Sequence, residues 1–320
     1  PLLPRTHPHR RACAQKYNGQ PIVEDRRGYV MTYNRIVGKI RLRQLRVAPG
    51  AGCDLSIAVK QTDTTSDGRF RRRQFVDYCY GPYSVAARSN KTYGDAVGFS
   101  FSSAEANNLK TSVQGQTGVR YDGSGFTRDL DAKDRDAYIA ALDELRSNLW
   151  LDEQTRAVVV SINLYNGNYN FYCVSQFLIE FTPGGTIVPS ATNKIMRIDQ
   201  WEAYEFQRPT QVLIQFVPEV LTGVGSLAYL LHFLYKLYRI KKVTRTFRPF
   251  LRDAWNIADT LFLLSLGLTY LLRVQYFLNP DRIQFNPFLD GIYQEMSPLA
   301  SAYASVFTCD ATTVLLLVLK

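Results

Sequence analysis

Residues 149–181 read LWLDEQTRAVVVSINLYNGNYNFYCVSQFLIEF, and this stretch sets the fold of the polar part of the chain. Within Arg156 to Leu164, Val158, Val160, Ile162 and Leu164 fall on one side, the period of a half-buried strand. Asn166-Gly167-Asn168 supplies a turn that tolerates positive φ, and Asn170 to Phe181 returns as a second strand. Just upstream, Asp129 to Asn148 predicts a helix, because Tyr138, Leu142, Leu145 and Leu149 share one face. A helix laid on an antiparallel hairpin is an α+β arrangement. Further upstream, residues 38–48 (GKIRLRQLRVA) predict another half-buried strand, with a slip of phase at Gln44 that would mark a bulge. Pro183-Gly184-Gly185 closes the hairpin and leads on towards a different kind of sequence.

That change of character divides the chain. Residues 1–210 are polar and mixed, whereas 211–320 hold three apolar stretches, at about 211–235, 254–272 and 298–320. Each is long enough, at 1.5 Å per residue, to cross a hydrocarbon core of roughly 30 Å. Carboxylates inside such spans need partners and mark functional positions, so Glu219, Asp259 and Asp310 are expected to face a bundle interior. Lys320 adds a cation at the end of the third stretch.

Orientation follows from the charges between the stretches. Lys236, Arg239, Lys241, Lys242, Arg245, Arg248 and Arg252 precede the first acid, Asp253; Arg273 and Arg282 are the only cations between the second and third stretches. The positive-inside rule places 236–252 in the cytoplasm, and the N-terminal domain and 273–297 outside. In that oxidising compartment Cys53 and Cys79 are expected to form a disulfide; free thiols would be expected in the cytosol. The sole sequon, Asn90-Lys91-Thr92, becomes a glycosylation site there. No leader sequence is visible, so an upstream membrane helix is expected before residue 1, with residues 1–28 as an extended arm.

Other function classes find little support. The net charge of +10 invites a nucleic-acid reading, but the densest basic run, Arg69 and Arg71 to Arg73, follows Asp67-Gly68 and is expected in a loop. None of the five cysteines forms a CxxC pair, which argues against zinc. Asp129, Asp131, Asp134 and Asp136 lack the spacing of a calcium loop and are read as charges favouring a helix N-terminus. There is no phosphate loop, nucleophile elbow or placed general base, so neither an enzyme nor a bound cofactor is expected.

Specific strings carry a resemblance. Leu149-Trp150-Leu151-Asp152 with Thr155-Arg156-Ala157, then Leu164-Tyr165-Asn166 and Cys173, resembles the signature of the polycystin extracellular domain. The strand Arg41–Val47, the Cys79-Tyr80 and Tyr83-Ser84 pairs and Tyr121–Phe126 are similar to other segments of that family, as is Phe250–Asp259 to the start of its third transmembrane helix. The resemblance implies a voltage-sensor-like bundle, with the three apolar stretches as its second to fourth helices and the pore following residue 320. It implies a subunit of a tetrameric, non-selective cation channel of the TRP superfamily, with calcium as a permeant ion, in a ciliary, flagellar or plasma membrane. The expected partners are further subunits, a polycystin-1-like protein or an extracellular filament, and membrane lipid. A polycystin-1-like receptor that does not conduct alone is the alternative. Trp150, Asp152, Thr155 and Arg156 are expected to be structural. Two departures stand out: Tyr235–Arg239 lacks the acids usual near the inner end of the second helix, and Asp310 is unusual in the fourth.

Overall fold

The computed structural model describes residues 27–31, 33–53, 61–64, 70–73, 79–109, 111–198, 209–246 and 248–319. Most of the arm expected at 1–28, Arg69 of the basic run and Lys320 lie outside the described residues. The chain forms two compact units, Pro1–Asn193 with Asn286–Ser297, and Lys194–Phe285 with Pro298–Lys320. The division is not contiguous, because the segment 286–297 belongs with the first unit.

The first unit holds β1 (Tyr29–Val30), β2 (Asn34–Ile36), β3 (Ile40–Arg46), β4 (Gln61–Thr64), β5 (Phe70–Arg73), β6 (Phe101–Ser102), β7 (Val113–Gln114), β8 (Arg120–Tyr121), β9 (Gly125–Leu130), α1 (Arg135–Ser147), β10 (Thr155–Asn166) and β11 (Phe171–Phe181). Strand β12 (Ile187–Met196) follows. The main sheet has eight strands, and β10 is its hub, antiparallel to β11 on one edge and to β3 and β2 on the other. The run of β-branched residues in β10 suits that two-sided position. Its register with β11 is unbroken from Ala157↔Glu180 to Asn166↔Phe171, so the hairpin read from the sequence is present. Positive φ falls on Asn170, not on Gly167, because Asn166 turns the chain by accepting from Asn168 N at 3.0 Å. Pro183-Gly184-Gly185 makes a tight turn into β12, which pairs with β11.

Both faces of the sheet are covered. On one, Trp150, Leu145, Phe99 and Val158 form a core, and beside it Ile36, Ile40 and Leu130 receive Tyr138 and Ala141 of α1. On the other, Leu45, Val47, Ala157, Val159 and Leu178 meet Tyr83 and Tyr121. Strand β3 is consequently buried along most of its length, with Arg43 and Gln44 almost fully enclosed, and is not the half-exposed strand expected. The bulge lies opposite: the β3–β10 register shifts between Thr155 and Ala157, making Arg156 the extra residue in place of a slip at Gln44. Arg71 to Arg73 belong to β5, paired with β4, rather than to a loop.

Helix α1 starts later than its pattern suggests. Asp134 caps it, accepting from Asp136 N and Ala137 N. Asp129 instead lies in β9 and forms a two-pronged ion pair with Arg41 at 2.7 and 2.8 Å, so it is not a helix-terminal charge. Asp131 also precedes the helix, accepting from Lys133 N at 2.9 Å. Leu149 leaves the helical face, taking a φ of 52° with 72% of its surface exposed.

The segment 286–297 is laid on the sheet. Lys39 N donates to Ile292 O, Asn163 Nδ2 donates to Gln294 O at 2.6 Å, and the Arg41 guanidinium sits 4.4 Å over the Tyr293 ring. Gly38 permits this approach: at φ +70° any Cβ would lie 2.6 Å from Ile292 O.

The second unit contains α2 (Pro209–Thr244), α3 (Arg248–Arg252), α4 (Ala254–Phe277), α5 (Pro280–Ile283) and α6 (Ser297–Leu319, whose first residue falls in the other unit). Three segments, Val217–Val243, Ala254–Phe277 and Ser297–Leu319, are long and apolar enough to cross a membrane. Helix α2 continues past the expected end at 235, so Lys236, Arg239, Lys241 and Lys242 are helical and not in a loop. Cross-helix contacts fix the directions. Glu219–Arg273 and Tyr229–Asp259 run oppositely along α2 and α4; Tyr276–Tyr303 and Ser265–Thr313 do so along α4 and α6. The bundle is therefore antiparallel at both junctions.

Candidate functional site

The signature block is a knot joining the end of α1 to β3 and β10. Trp150 is 4% exposed and donates from Nε1 to Gly98 O at 2.9 Å. Its own carbonyl accepts from Gln44 Nε2 at 2.6 Å and lies 2.9 Å from Tyr93 Oη. Gln44 Nε2 also reaches Thr155 Oγ1 at 2.6 Å, and Thr155 Oγ1 donates to Asp152 Oδ1 at 3.0 Å. Asp152 pairs with Arg46, whose guanidinium stacks 3.4 Å over the Tyr93 ring. Arg156 donates to the backbone carbonyls of Glu153 and Thr155 at the helix-to-strand join, and from its bulge to those of Tyr80 at 2.6 Å and Gly81 at 2.9 Å. Burial pushes the Tyr93 hydroxyl pKa up and the Arg156 pKa down. These bonds tie the end of α1 to β3 and β10 from within.

Cys53 and Cys79 are joined by a disulfide with Cα atoms 6.2 Å apart, closing the loop that carries β4 and β5. Asn90 is exposed, and its Oδ1 accepts from Arg88 Nε at 3.0 Å.

Two of the three carboxylates in the apolar helices, Glu219 and Asp310, converge on one residue. Arg273, near the C-terminal end of α4, donates from Nη1 to Glu219 of α2 at 3.1 Å and from Nη2 to Asp310 of α6 at 2.9 Å. One guanidinium thus links all three long helices, and its fixed fork allows it to serve two carboxylates at once. The sequence reading put Arg273 in an outside loop; the later end of α4, at Phe277, brings it into the helix. Its place on the stripe of Tyr270, Val274 and Phe277 at helical spacing was the available signal. Asp259 is 9% exposed, accepts from Tyr229 Oη at 2.8 Å, and has Lys236 at 3.9 Å. Hydroxyls complete the α4–α6 contact, with Ser265 and Thr269 lying 2.7 and 3.3 Å from Thr313 Oγ1. A cavity of about 460 Å³ lies at the level of Arg273, lined by Glu219, Tyr270, Tyr276, Tyr303 and Asp310 among others. No group of three or more metal-ligating side chains occurs among the described residues.

The arrangement is that of a folded outer domain held by polar knots, together with helices whose carboxylates each lie beside a cation. Comparison with known proteins agrees with it. The chain is 29% identical to Polycystin-2 of Danio rerio over 249 residues, covering 77% of this chain and 24% of that protein. It is 27% identical to human Polycystin-2-like protein 1 over 192 residues, 59% of this chain and 22% of that protein. A shorter match, 34% over 77 residues, links it to human Polycystin-1-like protein 1, covering 23% of this chain and 3% of that protein. The chain spans between 22% and 38% of the length of the Polycystin-2-type relatives it matches. The Polycystin domain model matches residues 15–197, more than half of the chain, and the protein belongs to the polycystin domain family.

Proposed function

We propose that this chain forms the extracellular domain and three membrane helices of a polycystin-type cation channel subunit. The observation that carries the reading is the succession, in one chain, of a polycystin domain and three helices able to span a membrane, with Arg273 satisfying a carboxylate on each of the other two. On this reading the domain boundary falls near residue 200, residues 1–210 face the exterior or a lumen, and the 236–252 stretch faces the cytoplasm. The assembly is a tetramer, homo- or heteromeric, conducting cations without strong selection and passing calcium. Its role is non-catalytic. Asn90 carries an N-linked glycan, and the setting is a ciliary, flagellar or plasma membrane. The outer domain assembles subunits and meets external partners, among them a polycystin-1-like protein or a large filament.

Recording from cells that express the full-length protein tests this. A cation current that persists with calcium as the sole external cation, and is unaffected by replacing chloride, is the expected result. Surface-delivered protein with no current, or with an anion current, would overturn it. The match to a polycystin-1-like relative favours a second reading, in which the protein conducts only beside another subunit. Current that appears on co-expression with a Polycystin-2-type protein, and never without it, would select that reading.

A further inference from the structure

The segment bearing the sequon forms one wall of a groove. Residues 87–89 run beside the end of β3: Ala48 N donates to Ala87 O at 2.8 Å, Ser89 N donates to Arg46 O at 2.9 Å, and Val47 bridges Arg88. Past this short ladder the surface opens into a cavity of about 480 Å³, lined by Arg46, Pro49, Asn90, Thr92, Tyr93 and Gln154 among others. That size falls within the roughly 300–1,000 Å³ of sites that hold small organic ligands.

Asn90 lines this space, and its amide is held by a neighbour on the same wall. Arg88 is fixed by Asp122 at 2.6 Å and Ser124 Oγ at 2.7 Å, and it also donates to Asn90 Oδ1. Arginine is only a donor, so the amide must offer it oxygen and turn Nδ2 the other way. Nδ2 is the atom that takes an N-linked sugar, and Oδ1 remains an acceptor afterwards. A glycan here begins at a groove wall with its root held, instead of on a free rotor. The lining offers a sugar polar and apolar contacts, with Lys91 as a further donor. Its two arginines already hold carboxylates, Arg46 with Asp152 and Arg88 with Asp122, while Gln154 and Thr92 supply amide and hydroxyl groups and Pro49 an apolar face.

We propose that the first N-acetylglucosamine of a glycan on Asn90 occupies this groove, rooted by Arg88, and clips the 87–93 segment to the end of β3. The inference rests on the glycosylation reading given above. The test uses the full-length protein from eukaryotic cells making high-mannose glycans, trimmed with endoglycosidase H to one sugar per site. Thr92→Ala, which keeps Asn90 but loses the sequon, is the comparison, and Thr92→Ser, which retains the sequon, is the control. Glycopeptide mass spectrometry reads occupancy, and hydrogen exchange reads the amides of 46–48 and 87–93. Occupied Asn90 with exchange at least about threefold slower than in Thr92→Ala, and unchanged in Thr92→Ser, is expected. Equal exchange with the sugar present would overturn the docked sugar and leave glycosylation standing. A bare Asn90 would overturn both.

Discussion

Trp150 and Glu295 show two ways in which a single side chain sets the behaviour of the outer domain. Trp150 fills the core between α1 and β10 and fastens Gly98, Gln44 and Tyr93 through its indole and its carbonyl. Removal of a buried Trp side chain destabilises by about 3–5 kcal/mol. Trp150→Ala is therefore expected to lower folding and surface delivery before it alters conduction. Surface biotinylation beside single-channel recording checks this; normal delivery with altered permeation would mean the residue serves a ligand and not the core. Glu295 acts through its charge. Burial raises its pKa, outweighing the bonds from Tyr293 Oη and Ser297 N, each at 3.0 Å, and the fields of Arg43 and Arg41. A folded pKa above the unfolded value means that the folded state holds the proton more tightly. The stability linked to Glu295 is then fullest below its ordinary value of 4.5 and is lost as pH rises through the raised one. Glu295→Gln, which stays neutral, should gain stability over wild type as pH rises from 5 to 8, read from thermal midpoints of the solubilised protein. A difference that stays flat across that range would refute the assignment.

At the scale of elements, the strands and helices with strong periods were legible and their ends were not. The two-residue period of Val158, Val160, Ile162 and Leu164 and the Asn-rich turn specify the β10–β11 hairpin, because register with a buried face tolerates no slip. The two-sided burial of β3 was hidden: a strand of alternating Arg and Leu looks half-exposed until Asp129, Asp122 O and Asp152 are present to receive its arginines. The start of α1 was misplaced for a similar reason, since Asp129 resembles a helix-terminal acid unless its β3 partner is known. Among the membrane elements, composition marks three spans, yet the clamp on Glu219 and Asp310 depends on α4 running to Phe277. That clamp predicts a non-additive series. Arg273→Gln leaves two carboxylates in apolar helices without their shared cation, at up to roughly 2.5–3.5 kcal/mol for a charge at a span centre. The triple variant Arg273→Gln, Glu219→Gln, Asp310→Asn should reach the surface better than Arg273→Gln alone. A triple variant delivered worse than the single would show that the three charges do not act as a unit.

At the scale of the whole molecule, the decisive question is which side of the membrane each connection occupies. The antiparallel contacts of α2 with α4, and of α4 with α6, put the α2–α4 connection on one side and the α4–α6 connection on the other. The first connection and the helix ends beside it carry Lys241, Lys242, Arg245, Arg248 and Arg252 with Asp253, and the second carries Arg282 with Asp281, Asp290 and Glu295. The charge rule therefore orients the bundle by a wide margin, with the α2–α4 side inward. A separate constraint agrees: Asn286–Ser297 belongs to the same compact unit as the sheet and the disulfide, and a disulfide-bonded domain belongs in an oxidising compartment. Two unrelated arguments, one from cations and one from covalent chemistry, thus require the same sidedness. Glycosylation mapping tests it directly. With Asn90 removed by Asn90→Gln in the full-length protein, an acceptor sequon in a short flexible insert after Gly291 should be modified, and the same insert after Thr246 should remain bare. The reverse pattern would invert the topology, and with it the outside placement of the polycystin domain.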